Sequence, residues 1–509
     1  MKSPPLEIEL KFKVAPELLE RMLGHRSLQG AERAARMRSV YFDTASHQLR
    51  RRGLTLRVRD DGEGFVQTVK HQIGPGGVSR GEWEARVASD QVDPEALANT
   101  PAGEVLRGKV RKLAPLFSTV VDRRTRTLSR RGAIIEAAFD QGTVSVGDRG
   151  QPICEVELES KRGDPAVLFK LGRRLANDFS INLSFDSKAE RGYRLAAGAG
   201  VEPKRAETPW LAPDTPTAEA FRRIARACLA QICANAELLC VVRRPEAIHQ
   251  IRVGLRRFRA ALAAFKAILS DDARAAIETE LKWFAGELDP ARDLDVFIQE
   301  AFRPAAAGAA DSDFAPLGFQ LLKAQTDAYD RAVAAVRSRR YAALLVDTAE
   351  WIELGAWSRS ADAVLVELRS RLIKPFAIDA LDHLWKVVRR RGRRFAQLDR
   401  DGRHKLRIRA KRLRYAAEFF SPLFEDHPKR AATFLVALQR MQSKLGALND
   451  IAVGRQRVLR EACLNRPDLA FAAGRVIGWR ENDEVKLLRL AGEEILTFLS
   501  AAPFWRARG

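Results

Sequence analysis

Four short stretches of this chain place charged side chains on alternate positions. Glu7, Glu9 and Lys11 alternate with Leu6, Ile8, Leu10 and Phe12, and Arg57 and Arg59 alternate with Leu54, Leu56 and Val58. Arg80, Glu82 and Glu84 flank Trp83, and Glu155, Glu157 and Glu159 alternate with Cys154, Val156 and Leu158. Alternate side chains of a strand share a face, so each stretch has a charged side and an apolar back. Neighbouring like charges repel, and a face that is merely wetted tends to mix signs and use Thr, Ser and Gln. Closing such a sheet with its charged faces inward makes a tunnel lined by both signs. Arg and Lys bind phosphate oxygens through charge-assisted hydrogen bonds. Glutamates repel phosphate unless a hard cation such as Mg²⁺ or Mn²⁺ stands between them. Together the patches point to a metal–phosphate complex, with the metal activating water and the cations stabilising the leaving phosphate.

A second pattern has helical spacing. His249, Arg252, Arg256 and Arg259 follow at steps of 3, 4 and 3, and so do His404, Arg407, Lys411 and Arg414. Such steps line up along one stripe of a helix, where a single basic stripe reads as a solvated face. Its repetition argues for a shared function. The phrases HQIRVGLRRFRAAL and HKLRIRAKRLRYAA carry the stripes, and ELDPARDLDVF and KLGALNDIAVG follow them. Matched helices suggest duplicated bundles facing each other. A third stripe, His383, Lys386, Arg390 and Arg393, ends in an arginine run that equally suits an exposed helix end. Neither His249 nor His404 has a carboxylate at zinc-like spacing. Hydrogen bonding to a phosphate is the favoured role for both, with a structural bond in the bundle as the alternative.

The elements that must position these residues divide the chain. Up to about Leu195, short period-two segments such as IELKFKV, SVYFDT, LTLRVR, FVQTVK, GEWEARV, GAIIEAAFD, GTVSVG and CEVELES are separated by Gly, Asp and Pro turns. They predict many antiparallel strands in a sandwich or closed barrel, with helical interruptions at Pro16 to Leu28 and Pro165 to Asn177. A Gly/Pro-rich stretch follows Gly198, and beyond Ala218 the Ala/Leu/Arg-rich text has helical periodicity broken at prolines. The expected organisation is a domain over residues 1–200, a linker over 201–216 and an all-helical domain over 217–509. At 509 residues each half is long enough for its own core.

The net charge of +22 is shared by both halves and attracts polyanions: nucleic acid, anionic membrane or polyphosphate. The five cysteines show no CxxC pair and no metal spacing, which suits reduced thiols. The first residues carry charges through their apolar stretch, unlike a signal peptide, and no uninterrupted apolar run approaches the roughly 20 residues that span a bilayer. A cytoplasmic location and no membrane partner are therefore expected. Nucleic acid is disfavoured as a partner because no aromatic-lined groove is evident.

The opening EIELKFKV resembles the ExExK signature of the CYTH, or triphosphate tunnel metalloenzyme, superfamily. The likeness continues in order through VYFDT, LTLRVR, TVK, SRGEWE, AFDQG, CEVELE and SKAERGY. It implies an α+β chain whose N-terminal domain is an eight-stranded antiparallel β-tunnel with flanking helices. The resemblance assigns Glu7, Glu9, Asp140, Glu155 and Glu157 to a Mg²⁺ or Mn²⁺ site, with Glu159 extending the acidic strand. It assigns Lys11, Arg57, Arg59, Lys70 and Lys188 to the phosphates and adds Glu82 and Glu84 as a further acidic pair, which we group with Lys70 as catalytic. In DRRTR the substrate-facing residue is Arg123, Arg124 or Arg126, undecided by sequence. The helical repeats resemble the CHAD domain, which implies two pseudo-symmetric helical bundles with a basic groove for long-chain polyphosphate. The second copy has Asn449 and Ala452 where the first has Arg292 and Asp295. The combination is similar to bacterial inorganic triphosphatases. It implies hydrolysis of tripolyphosphate to pyrophosphate and phosphate, or of a nucleoside triphosphate, with association with polyphosphate granules as a corollary. A non-catalytic polyphosphate binder and an adenylate cyclase are the alternatives; the cyclase needs an adenine pocket that the sequence does not identify.

Overall fold

A computed structural model describes residues 8–71, 81–198, 200–307, 311–462 and 467–506. Glu7, Arg80 and Cys463 lie outside the described residues, as does the side chain of Ala452. The chain forms two compact units that do not follow chain order. One comprises residues 1–207, 226–242 and 336–354, and the other the remainder. The division therefore cuts through a helix instead of falling between strands and helices.

The first unit is built on eight antiparallel strands: β1 (Ile8–Lys13), β2 (Ala31–Thr44), β3 (Leu54–Asp60), β4 (Phe65–His71), β5 (Gly81–Val87), β6 (Leu113–Arg130), β7 (Ala133–Val146) and β8 (Arg149–Arg162). Their order is β1-β8-β7-β6-β2-β3-β4-β5. The two edge strands, β1 and β5, both contribute charged side chains to one cavity, so the sheet curls into a tunnel-like form. The sequence segments GAIIEAAFD and GTVSVG merge into the single strand β7. Gly142 makes this continuity feasible, because a Cβ there would lie 2.0 Å from the carbonyl oxygen of Val120 on β6.

Short helices close the unit. They include α1 (Pro16–Leu23), α2 (Gln48–Arg51), α3 (Ala166–Phe179) and α4 (Lys188–Ala196), the first and third where the prolines predicted them. Leu10, Phe12, Val156 and Leu158, the apolar backs of β1 and β8, are fully buried, as are Leu168, Phe169 and Leu175 of α3. Burial of each such side chain is worth about 1.5–3 kcal/mol, and it fixes the opposite, charged faces toward the cavity. Asp43 of the VYFDT phrase is buried and serves the frame. It accepts the backbone N–H groups of Thr44, Leu49 and Arg50 at 2.7, 3.0 and 3.0 Å and the Tyr193 hydroxyl at 3.0 Å, so it caps α2 and ties α4 to the sheet.

The helical part contains α5 (Thr217–Val241), α6 (Pro245–Ala264), α7 (Asp272–Phe297), α8 (Asp311–Val336), α9 (Arg339–Leu354), α10 (Ile373–Gly392), α11 (Arg400–Phe420), α12 (Pro428–Ala462) and α13 (Pro467–Ser500). α5 from Arg226 and the whole of α9 belong to the first unit. In the second unit α6 packs against α7 and α11, and α11 packs against α10 and α12. The two repeat helices thus meet, and Ile251, Leu255, Phe258, Leu406, Ala410 and Leu413 are buried in their apolar seams. Among the described residues one helix, Thr217–Val241, is long and apolar enough to cross a membrane by length and composition, and 78% of its apolar window is buried inside the protein. Cys154, Cys228, Cys233 and Cys240 are free thiols.

Candidate functional site

The ladder register builds the tunnel lining row by row. Across β6, β7 and β8, Arg123 faces Asp140 and Asp140 faces Glu155; across β1 and β8, Lys11 faces Glu157 and Glu9 faces Glu159. On the other wall, Tyr41, Arg57, Thr68 and Glu84 form one row and Thr55, Lys70 and Glu82 another. Between them lies a cavity of about 450 Å³. Glu9, Lys11, Arg57, Arg59, Lys70, Glu82, Glu84, Arg123, Asp140, Glu157, Glu159 and Lys188 all line it.

One end of the cavity is an acidic triad crossed by cations. Oxygens of Asp140, Glu155 and Glu157 lie within 4.8 Å of one another. The Lys188 ammonium sits 2.7 Å from Asp140 and 3.1 Å from Glu157, and it also pairs with Glu155. Arg123 donates to Asp140 through Nε and Nη2 at 2.6 and 2.5 Å and to Glu157 through Nη2 at 2.7 Å. Lys11 lies 3.3 Å from Glu157. Burial alone would raise Glu157; the fields of Lys188, Lys11 and Arg123 outweigh it and hold the carboxyl well below its usual range. Asp140 is lowered in the same way, against its burial, by Lys188 and Arg123. Burial depresses Arg123, but Asp140 and Glu157 reverse this and leave it well above its ordinary value. These groups are therefore ionised at neutral pH.

The opposite wall is basic. Lys70 donates to Glu82 at 2.8 Å, Thr68 donates to Glu84 at 3.1 Å, and Arg59 lies 3.6 Å from Glu84. Arg59 is lowered, first by Arg57 and then by burial. The Nε groups of Arg57 and Arg59 are buried without a hydrogen-bond partner among the described residues. Unpaired donors of this kind are costly unless an acceptor arrives, and a phosphate chain would supply several.

The triad passes a chemical test as a metal site. Three convergent carboxylates are hard oxygen donors of the type that Mg²⁺ and Mn²⁺ prefer. The Lys188 ammonium now occupies the centre of that donor set.

The choice left open within DRRTR is narrowed by the geometry. Of the three arginines of DRRTR, Arg123 lines the cavity. Arg124 is half exposed at 3.6 Å from Glu20. Arg126 donates to the carbonyls of Leu23 and Leu28 at 2.7 and 3.0 Å and to Glu32 at 2.7 Å. Strand alternation puts 124 and 126 on the convex face, where Arg126 anchors the turn after α1. Glu155 belongs to the triad but does not reach the cavity surface, being fully buried behind Lys188 and Arg191. Sequence reasoning missed Arg191, buried and paired with Glu155 and Asp186, along with the lining residues Glu136 and Lys161. The signals were present: Glu136 keeps period two with Asp140, and Arg191 is three residues from Lys188, on the same helix face.

In the second unit the facing of α6 and α11 brings the two stripes into one electrostatic cluster. Burial first, then the fields of Arg256 and Arg407, push Lys411 down to about 6. Burial and then Arg292 push His249 down to about 4, and Arg252 falls to about 10 through burial and Arg256. Arg252 pairs with Asp289, and Arg407 feels Asp450 and Asp293 against Arg256. Arg414 is already engaged, by Gln442 at 2.9 Å and Glu418 at 2.6 Å. Arg259, the last of its stripe, is exposed. His404 binds Asn449 at 2.8 Å, whereas His249 faces the charge of Arg292, so the substitution between copies makes the two histidines electrostatically unequal. The cluster holds more cations than its carboxylates balance, the condition of an anion site.

Comparison with known proteins finds two families along the chain. A CYTH domain model matches residues 5–193 and a CHAD domain model matches residues 223–459. An inorganic triphosphatase of Haemophilus influenzae is 30% identical over 217 residues, 40% of this chain. The chain spans 57% of that relative's length. An uncharacterized protein of Mycobacterium tuberculosis is 26% identical over 495 residues, covering 90% of this chain and 89% of the relative. The crystal structure of the CHAD domain from the plant Ricinus communis is 30% identical with a TM-score of 0.50, covering 60% of this chain and 98% of that one. The chain joins a CYTH domain with a tunnel-like curled sheet to a helical CHAD domain.

Proposed function

We propose that the first unit is a metal-dependent triphosphatase that hydrolyses inorganic tripolyphosphate to pyrophosphate and phosphate. The observation that carries this reading is one cavity with a buried carboxylate triad at one end and Arg57, Arg59 and Lys70 on the facing wall. Asp140, Glu155 and Glu157 would hold Mg²⁺ or Mn²⁺. When bound, the ion supplies charge neutralisation at the phosphoryl oxygens and a water of lowered pKa. Arg57 and Arg59 grip the chain through donors that are otherwise unpaired. Lys11, Arg123 and Lys188 stabilise the charge that develops on the leaving phosphate. Glu82 and Glu84 orient the cations of the basic wall by the contacts described above. The apolar side chains in the lining are Met37, Tyr41, Val121 and Ala189, too few for an adenine slot, so inorganic phosphate chains are favoured over nucleotide cyclisation.

The second unit is proposed to bind long-chain polyphosphate in the cluster of Arg252, Arg256, Arg407 and Lys411, with His249 and His404 at its side. A cytoplasmic location with recruitment to polyphosphate granules belongs to the same reading. The test is phosphate release from tripolyphosphate, ATP and long polyphosphate, each with Mg²⁺ and Mn²⁺, for wild type and Glu157→Gln. Metal-dependent release lost in the variant, with long-chain binding retained, is the expected result. No release from wild type with either metal refutes the enzyme and leaves a polyphosphate-binding protein. Cyclic AMP formed from ATP establishes a cyclase instead.

A further inference from the structure

α11 carries a second set of cations that the groove does not use. Arg409 and Arg412 lie about 150° around the helix from the stripe of His404, Arg407, Lys411 and Arg414, given 3.6 residues per turn. Arg390 and Arg391 belong to the last turn of the adjacent helix α10. The four arginines are close enough to act on one another: burial, then the fields of Arg391, Arg412 and Arg390, lower Arg409.

Two ordinary explanations for such a patch fail on part of it. Cations in the last turn of a helix are favoured by its negative end, which accounts for Arg390 and Arg391. It does not account for Arg409 and Arg412, which sit in the middle of α11. A solvated helix face usually sets carboxylates three or four residues from its cations. The neighbours at those spacings are Lys405, Leu406, Ile408, Leu413, Tyr415 and Ala416 around Arg409 and Arg412, with no acid among them. The same spacings around Arg390 and Arg391 hold Lys386, Val387, Val388, Arg393, Arg394 and Phe395. None of the four arginines forms an ion pair among the described residues.

We infer that Arg390, Arg391, Arg409 and Arg412 form a second polyanion-binding face, on the side of α11 away from the groove, which takes the overhang of a polyphosphate chain too long for the groove alone. The inference rests on the groove being a polyphosphate site. Composition points to the occupant: the exposed large apolar side chain of α11 is Ile408, and among the described residues α10 and α11 expose no Phe, Tyr or Trp, only the imidazoles of His383 and His404. An imidazole alone is a small platform for stacked bases, and one isoleucine is a poor bilayer anchor. What remains is charge recognition of a flexible anionic chain that already lies on the same helix.

The test measures long-chain and short-chain polyphosphate binding by the full-length protein across a salt series, for wild type, Arg409→Ala/Arg412→Ala and Arg256→Ala/Lys411→Ala. The outer-face variant should weaken the long chain roughly tenfold and reduce the slope of log K against log salt by about 1.4, two contacts at about 0.7 each. Its short-chain binding and tripolyphosphate hydrolysis should match wild type. Arg409→Lys/Arg412→Lys should restore the slope, which a folding defect would not permit. The groove variant should lose both chain lengths. An unchanged long-chain slope in the outer-face variant overturns the inference while leaving the groove intact. Loss of short-chain binding together with long-chain binding in that variant shows one continuous site and also overturns it. Retention of both lengths by the groove variant overturns the groove reading itself. A selective loss of duplex DNA binding in the outer-face variant reassigns the face to nucleic acid.

Discussion

Replacing Lys188 by methionine is the sharpest test of the triad. The ammonium contacts three carboxylates at once: Asp140 and Glu155 are fully buried and Glu157 is only 16% exposed. Removing one partner of a buried ion pair costs about 3–5 kcal/mol, because the remaining charge is left uncompensated. Arg123, Lys11 and Arg191 still face the triad, so the lower end of that range is expected in a chelator. The same change vacates the centre of a hard-oxygen donor set, so Mn²⁺ should bind more tightly and return stability. A ligand at 100 times its Kd contributes about 2.7 kcal/mol. Chemical denaturation with and without metal reads the stability, and Mn²⁺ titration by electron paramagnetic resonance reads the affinity. Hydrolysis should fall as well, since Lys188 lines the cavity proposed to hold the phosphate chain, but the metal titration does not depend on turnover. If Lys188→Met is as stable as wild type in chelator, or binds Mn²⁺ more weakly, the ammonium is not standing in the metal position and the reasoning fails.

Acid stability follows from the same contacts. Asp140 and Glu157 are depressed in the folded protein, so their contribution is fully present above the unfolded values of 3.8 and 4.5 and is lost as pH falls through the folded ones. Lys188→Met should therefore move the acid-unfolding midpoint to higher pH in a circular dichroism titration; an unchanged midpoint counts against the coupling. Arg123→Ala should reduce hydrolysis by 100-fold or more, the scale of losing a charge-stabilising donor, whereas Arg124→Ala should leave kcat and KM near wild type. Arg126→Ala should lower stability by about 1 kcal/mol, because the Leu28 carbonyl loses this donor while the Leu23 carbonyl keeps the Gln29 amide, without changing kcat, as thermal melts and initial rates will show. Because Lys411 sits near 6 in the free protein, polyphosphate binding at pH 7.5 should take up close to one proton, seen as a buffer-dependent heat of binding that disappears in Lys411→Ala.

The legible part of the site is the part with a clean period. Leu54, Leu56 and Val58 leave Arg57 and Arg59 one face to occupy, and Val156 and Leu158 do the same for Glu155 and Glu157. The apolar backs supply the driving force, and alternation carries it to the charged side. The stripes of α6 and α11 were readable for the helical equivalent of that reason. DRRTR has no apolar alternation to set its phase, so the ladder that pairs Arg123 with Asp140 was needed to choose among three arginines. The anchoring of Arg126 on carbonyls about a hundred positions earlier was equally hidden. So was the assignment of much of α5 and α9 to the first unit.

By itself the amino-acid order determined which residues share a strand face or a helix stripe, because that depends on backbone periodicity and on the transfer of apolar side chains from water. Tertiary structure alone decided which faces meet. Glu155 is sealed by Lys188 and Arg191 while Glu157 stays at the cavity surface, and the charge of Arg256 acts on Lys411 from another helix. Such outcomes depend on strand register and helix packing, where interactions between residues far apart in the chain set both the spacing of charges and the depth at which each is buried.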